Sequence, residues 1–586
     1  MTSSKINLPR PEYPRPQFVR KQWMNLNGIW EFEIDNNVSG KEQKYYERSH
    51  FNDRILVPYV PESKLSGVEY TDFMLAVWYK RTFDLPSHWS NQRVILHFGA
   101  VDYKTEVWIN GKCVGTPHLG GYSSFSYDIT PYLQQNTNTI IVYVEDDTRS
   151  PLQPSGKQSP KYHSHGCFYT RSTGIWQTVW LEAVSDTYIR SVKYYPDAKN
   201  SLLHVEGLIN GSVKNKQLKV TASYKGDFMG SVTAKLSSNF FNITLSLSES
   251  YLWEVGNPHL YDLEFTLLDQ EHIIDEATSY FGLRSLNLTD KGLAINDKLV
   301  FQRLVLDQGY YPDGIYTAPC DADLKQDIEL SMALGFNGAR LHEKIFEPRF
   351  LYWADRLGYI VWGEHANWGL DNSHPHSLKY FLPEWIEALE RDFNHPSIIG
   401  WCPFNETWNE SNKNNSRQDD DLLRIVYQTT KAIDKTRPVI DTSGNFHVIT
   451  DIYDVHDYEQ DVAIFSKRYG SLKDGRIYEK FADRQTHKGE PVFMSEYGGI
   501  KWSSESDQGW GYGDAPRTEQ EFLDRYKGLT ECLLNNPDMS GFCYTQLYDV
   551  EQEVNGLYTY DRKPKFDSKV IKKINQLPAA LEMKHL

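Results

Sequence analysis

GARLHEKIFEPRFLYWADRLGYIVWGE, Gly338 to Glu364, sets two short apolar runs on either side of a helical segment. Phe350, Leu351, Trp353, Ala354 and Leu357 recur at the spacing of one helix face, while GARLH and YIVWGE read as buried strands. Strand, helix and strand in succession make a βα unit whose strands run parallel. The pattern repeats outward in both directions. Upstream, LVFQRLVL precedes DADLKQDIELSMALG. Downstream, PEWIEALERDFN leads to IIGWCPFNE, DDLLRIVYQTTKAID to PVIDTS, and EPVFMSEYGG to TEQEFLDRYKGLTECLLN and GFCYTQLYD. About 300 residues of such units is the size of a (β/α)8 barrel, which we assign to residues 287–586.

Before this region the rhythm is different. From Trp23 to Ala183 short alternating or β-branched runs (WEFEI, VWYKRTF, RVILHF, TEVWING, TIIVYVED, WQTVWLE) are broken by Gly, Pro and Asn. They predict an all-β sandwich over residues 1–184. Further runs (LLHVEGLI, LKVTASY, NITLSL, LYDLEFTLL) fill residues 185–286. That length, roughly a hundred residues, suits an immunoglobulin-like sandwich. The expected fold class is multidomain: two β-sandwiches, then a barrel.

Composition narrows the partners. The chain has 62 basic and 78 acidic residues, a net charge of −16, which disfavours nucleic acid or an anionic membrane surface. Six widely spaced cysteines, without a CxxC pair, read as reduced thiols. The N-terminal stretch MTSSKINLPRPEYPRPQF lacks the apolar core and cleavage site of a secretory signal. No run reaches the roughly 18 apolar residues of a membrane helix. A cytoplasmic enzyme acting on a neutral small molecule is the expectation, and no Gly-rich phosphate loop points to nucleotide chemistry.

Two strand-like runs end in glutamate: SIIGWCPFNETWNE carries Asn405-Glu406 and PVFMSEYGGI carries Glu496. Strand ends are where barrel enzymes keep their reacting groups. Glycoside cleavage needs one carboxyl to protonate the departing oxygen and another to attack the anomeric carbon, about 5 Å apart when configuration is retained. A glutamate at a strand end is by itself more often a solvated residue, so the surrounding residues must carry the assignment.

Those residues resemble glycoside hydrolase family 2, the family of β-galactosidases, β-glucuronidases and β-mannosidases, almost end to end. LNGIWEF (Leu26 to Phe32), VWYKRTF (Val77 to Phe83), VWINGKCVG (Val107 to Gly115) and TGIWQTVWLE (Thr173 to Glu182) are similar to its sugar-binding-like jelly roll. LWEVGNPHLYDL (Leu252 to Leu263) is similar to part of its immunoglobulin-like domain. GFNGAR (Gly335 to Arg340), HPSIIGWCPFNE (His395 to Glu406) and SEYGG (Ser495 to Gly499) match its barrel motifs. The resemblance implies a retaining exo-acting β-glycosidase with Glu406 as acid/base and Glu496 as nucleophile. It makes Asn405 the partner of the sugar 2-hydroxyl and Arg340 the cation beside the nucleophile. It also makes Tyr458 a contact of the nucleophile. Glu364 and His456 belong near the site on this reading, and to structural pairs on the bland one.

The sugar is read from three stretches. Asp307 and Gln308 in LVLDQGYYPDG suit neutral hydroxyls. β-Glucuronidases of the family grip the uronate with an Asn-x-Lys pair shortly before a stretch resembling GLYTYDRKPK, where this chain has Glu553 and Asn555. A glutamate repels a uronate, and Arg171 or Lys501 would have to substitute. The expectation is therefore a β-galactosidase, with β-glucuronidase, β-galacturonidase or another glycosidase of the family as the alternative. Trp502 and Trp510, near the nucleophile in sequence, either shape the pocket or pack as buttresses. The jelly roll is read as a buttress as well.

Retaining chemistry needs no metal, so no cofactor is expected. His342, His365 and His456 form no recognisable ligand spacing, which weighs against a metal-dependent hydrolase. An inactive carbohydrate-binding protein is the rival of another class. The partner in either case is carbohydrate, and the resemblance is compatible with a homo-oligomer.

Overall fold

The computed structural model describes residues 8–407, 418–471, 477–503 and 509–583. The two sandwiches and the barrel follow in the order the sequence predicts. In the first domain a six-stranded antiparallel sheet runs in the order Asp53–Val57, Gly28–Ile34, Ala76–Phe83, Asn138–Glu145, Lys104–Ile109, Lys112–Leu119. A four-stranded sheet faces it, in the order Trp23–Asn25, Val179–Val184, Arg93–Phe98, Phe125–Asp128. Trp30, Phe32, Val107 and Val142 from the first meet Leu96, Phe98 and Leu181 from the second in one core. This is the alternation that the runs WEFEI and RVILHF encode.

The second domain pairs a three-stranded and a four-stranded antiparallel sheet. Its strand Phe240–Ser246 buries Phe241, Ile243 and Leu245 and exposes the residues between them.

The third domain is built from parallel strands β1 (Gln302–Asp307), β2 (Gly338–Leu341), β3 (Ile360–Glu364), β4 (Ile398–Cys402), β5 (Thr442–Ser443), β6 (Tyr453–Asp457), β7 (Val492–Gly498) and β8 (Met539–Thr545). Seven of them form one sheet in the order β4-β3-β2-β1-β8-β7-β6. The extension of β4, Phe404–Asn405, pairs with β5, and Ser443 in β5 donates to Asp454 in β6, bringing the sheet round towards closure. The lumen is filled by Leu304, Leu306, Trp362, Ile399 and Phe493. The continuous apolar strands are those of a sheet buried on both faces. Among the described residues no helix is long and apolar enough to cross a membrane.

The sandwiches are fixed to the barrel by buried polar contacts. Trp253 donates to the Asp355 carbonyl, and Tyr280 to the Asp355 carboxylate, each at 2.8 Å. From the jelly roll the backbone of Tyr122 and Ser123 donates to Glu384. A long connection, residues 146–173, leaves the strand Asn138–Glu145, crosses onto the barrel mouth and returns. Its ends are tied by buried carboxyls: Asp146 accepts from Gln153 and Thr173, and Glu62 accepts the Thr173 amide on both oxygens. In the middle, the amides of Ser155 and Gly156 donate to the Trp368 carbonyl, and Gln552 donates to the carbonyls of Gly166 and Phe168.

Candidate active site

Glu496 lies in β7 and Glu406 directly follows the extension of β4, both at the C-terminal mouth of the barrel. Glu406 has a left-handed backbone, φ 43°, an uncommon conformation for a side-chain-bearing residue that clusters at functional sites. Its amide donates to the Ser443 carbonyl at 2.8 Å. One oxygen of each carboxylate and one imidazole nitrogen of His456 all lie within 4.8 Å of one another.

Arg340, at the end of β2 and 1% exposed, organises this cluster. Its Nη1 donates to Glu496 at 2.9 Å, its Nε to Glu364 at 2.6 Å and its Nη2 to the Asn405 amide oxygen at 3.2 Å. Burial pushes Glu496 up, but the neighbouring charges and the Tyr458 hydroxyl outweigh it and hold the carboxyl at about 2. The imidazoles of His456 and His342 and the guanidinium of Arg340 all act in that direction. Arg340 is the dependable member, because burial and nearby Lys157 hold His342 well below its ordinary value and hence neutral. Burial dominates at Glu364, which sits above the usual carboxylate range despite Arg340.

Asn405 is oriented from three sides. Its amide N–H donates to Asn367, its carbonyl accepts from Asn367 and the Trp368 indole, and its side-chain oxygen takes the Arg340 bond. Among the described residues its side-chain Nδ2 is then a buried donor without a hydrogen-bond partner. Such a donor is costly unless a ligand oxygen meets it. His456 reaches Glu406 through Nδ1 at 2.8 Å and Ser443 through Nε2 at 2.8 Å. It packs so closely on Gly444, φ 73°, that a Cβ there would stand 2.1 Å from the ring. The Tyr458 hydroxyl donates to Glu496, and its ring stacks on Tyr512 with centroids 3.4 Å apart.

The remaining residues singled out in the sequence fall elsewhere or form a second layer. Asp307 accepts from the Tyr548 hydroxyl and the Gly309 amide, and burial with Asp327 nearby raises it to about 6. Its partners are structural, and among the described residues no hydrogen bond or ion pair joins it to the glutamate pair. Gln308 donates to Gln546, Gln546 to Asn555, and Asn555 to Glu553, a buried relay that ends at the Tyr169 hydroxyl from the jelly roll. Burial holds Glu553 above the usual carboxylate range, partly offset by Lys157 and by its two donors. Trp502 turns its ring onto Phe522 and Phe566, whereas Trp510 meets Tyr512 edge-on. Arg171 caps carbonyls of Ser159, Lys161 and Thr71, and Lys501 is half-buried beside Gly511. His365 Nε2 lies 3.3 Å from Glu384, the carboxylate that accepts from the jelly-roll backbone.

Sequence reasoning passed over five residues that line or brace this site: Lys157, Tyr169, Asn367, Trp368 and Tyr512. Lys157 comes from the crossing segment of the jelly roll and is 5% exposed. Its Nζ lies 3.9 Å from the centroid of the Trp368 ring. Burial disfavours its charge, but Cys167, Glu553, Glu496 and Glu406 outweigh that and raise it above the ordinary lysine value. The only signal for Tyr169 was its place just before TGIWQTVWLE.

Comparison with known proteins places the three domains in one family. The models described as glycosyl hydrolases family 2, sugar binding domain, glycosyl hydrolases family 2, and glycosyl hydrolases family 2, TIM barrel domain, match residues 23–181, 187–284 and 289–577 in turn. A β-glucuronidase of Rattus norvegicus is 25% identical over 81% of the chain and 77% of its own length. A β-galactosidase of Bacteroides ovatus, BoGH2A, is 26% identical over 56% of the chain and 39% of its own length. The chain spans half the length or less of the curated relatives it matches first. A β-glucuronidase structure from an uncultured Clostridium superposes with a TM-score of 0.78 at 20% identity, covering 96% of this chain and 99% of that one. With all three domains matched in order, the chain belongs to glycosyl hydrolase family 2.

Proposed function

We propose that this glycoside hydrolase is a retaining exo-β-glycosidase that removes a terminal β-linked hexuronic acid, a β-glucuronide before a β-galacturonide, with a β-galactoside as the second reading. The observation that carries the chemistry is the pair Glu406 and Glu496, with carboxylate oxygens within 4.8 Å and only one of them held by Arg340. Glu496, kept ionised by that cation, attacks the anomeric carbon. Glu406, across the gap from it, carries the proton to the departing oxygen. When the glycosyl-enzyme forms, the charge on Glu496 disappears and Glu406 becomes the base that activates water. The unpartnered Nδ2 of Asn405 takes the 2-hydroxyl, a contact that tightens at the transition state.

The uronide reading takes precedence over the β-galactoside expected from sequence for two reasons. A relative aligned along most of its length, from Rattus norvegicus, is named a β-glucuronidase. The objection from Glu553 also weakens, since that carboxyl is buried, pushed up, and hydrogen-bonded to Tyr169 and Asn555. The test is a panel of nitrophenyl β-glycosides with and without EDTA, followed by NMR of the first anomer released. Cleavage of the glucuronide with a β-anomer first, unaffected by EDTA, supports the reading. Release of an α-anomer would sink the retaining mechanism, and loss of activity in EDTA would revive the metal-dependent hydrolase. A galactoside as best substrate would move the second reading forward.

A further inference from the structure

A uronate entering this site brings a negative charge into a low-dielectric cleft that already holds Glu496, and it needs a cation there. Among the described residues the nearby buried cations are committed, with one exception. Arg340 donates through Nε, Nη1 and Nη2 to Glu364, Glu496 and Asn405. Arg171 directs both terminal nitrogens at backbone carbonyls. Lys344 donates to the carbonyls of Gly309 and Tyr316, and burial lowers it to about 7. Lys157 is different: among the described residues its ammonium makes no ion pair within 4.0 Å, and it rests on the face of Trp368.

Resuming the uronide reading above, we propose that Lys157, delivered by the jelly roll, is the residue that binds the carboxylate of the sugar. The position is fixed by the segment and not by the lysine itself. The Tyr169 amide donates to the Lys157 carbonyl at 2.7 Å, and the preceding Ser155 and Gly156 are bonded to Trp368. Gly156 has φ 57°, and a Cβ there would stand 2.5 Å from the Glu343 carbonyl, so the approach admits no side chain. The Trp368 indole in turn donates to the Asn405 carbonyl, which ties the ammonium to the residue assigned to the 2-hydroxyl. Glu553 is the competing partner. Its two oxygens are engaged by Asn555 and Tyr169, which leaves the ammonium for the substrate. The sugar-recognition element missing from the segment after β8, where Glu553 and Asn555 stand, is thereby supplied from a different domain.

The test compares the wild type with Lys157→Met and Lys157→Arg on nitrophenyl β-glucuronide and β-glucoside, which differ only at C6. Competitive inhibition by free D-glucuronate and by D-glucose is measured against the glucuronide. Truncating one partner of a buried charge pair costs enough to lower kcat/KM on the glucuronide by roughly 100-fold. The glucoside should change by less than about threefold, the glucuronate inhibition constant should rise at least tenfold with that for glucose unchanged, and Lys157→Arg should keep part of the selectivity. Melting temperatures of the variants separate misfolding from lost recognition, and the inhibition ratio needs only residual activity. A wild type that cleaves the glucuronide, with Lys157→Met losing on both sugars alike or on neither, would overturn the role of Lys157 and leave the uronide reading standing. A wild type that cleaves the galactoside and no uronide would overturn both.

Discussion

Two walls meet over the cleft, and they are built by opposite means. The barrel wall, Arg340, Asn405, Glu406, His456 and Glu496, stands on strand ends, each side chain braced by the next strand. The jelly-roll wall, Lys157, Cys167 and Tyr169, stands on a long irregular segment held by its own ends and by backbone contacts to Trp368 and Gln552. Rigid strand ends suit groups that must stay within a fraction of an ångström of the reacting atoms, whereas a connecting segment tolerates change and suits recognition. Under the proposed function, chemistry falls to the barrel wall and sugar choice to the jelly-roll wall.

The largest effect belongs to the barrel wall. Glu496→Ala should lower kcat on nitrophenyl β-glucuronide on the order of 10⁵-fold, with the fold intact by circular dichroism. Glu406→Gln should cost about 10²–10⁴-fold on a methyl glycoside, whose leaving group needs protonation. On a nitrophenyl glycoside the loss in the glycosylation step should be far smaller. Equal losses of Glu406→Gln on both leaving groups would remove Glu406 as the acid and with it the sharp division between the walls.

The barrel wall was also the legible one. IIGWCPFNE and PVFMSEYGG announce both strand and glutamate in a few residues, and Arg340 ends a run that reads as a strand. The other wall gave no such signal. SGKQS sits in a Pro-, Ser- and His-rich stretch that reads as a solvated loop, and its partners Trp368 and Glu553 are hundreds of residues away in sequence. The same distance hides the surroundings of Glu553, whose charge was read without the Tyr169 hydroxyl bonded to it. For Trp502 the sequence left open whether the ring shapes the pocket or packs as a buttress, and in the structure it turns onto Phe522 and Phe566. Asp307, read at a strand end as a contact of sugar hydroxyls, accepts from Tyr548, because sequence position alone does not say which way a side chain turns.

A smaller effect sharpens the jelly-roll wall. Tyr169→Phe removes one of the two donors that engage Glu553. Leaving a buried acceptor without one of its donors costs about 1–3 kcal/mol, and without that donor Glu553 competes better for Lys157. KM for the glucuronide should rise about tenfold, with kcat within about twofold of the wild type and the neutral glucoside unaffected. A fall in kcat shared by both sugars would mean that the segment positions the catalytic carboxylates, and the two walls would no longer be separable.

The smallest effect lies at the base of the segment, in stability and not in turnover. Burial raises Glu62 to about 8 and Asp146 to about 6, so both carboxyls that tie residues 146 and 173 are protonated in the folded state at a pH where the unfolded chain has lost those protons. A raised carboxyl pKa means that the folded state binds more protons, and stability falls as pH rises from the unfolded value towards the folded one. For Glu62 that window runs from 4.5 to about 8. Glu62→Gln keeps the acceptor oxygen for the Thr173 amide and removes the titration. Its melting temperature should therefore gain on the wild type between pH 5 and pH 8, by an amount equivalent to about 2–4 kcal/mol. Differential scanning calorimetry of the pair across that range reads the difference directly, since every other titrating group is common to both. A constant offset between the two curves would mean that Glu62 is ionised in the folded protein, and that the segment carrying Lys157 is anchored by charge and not by neutral hydrogen bonds.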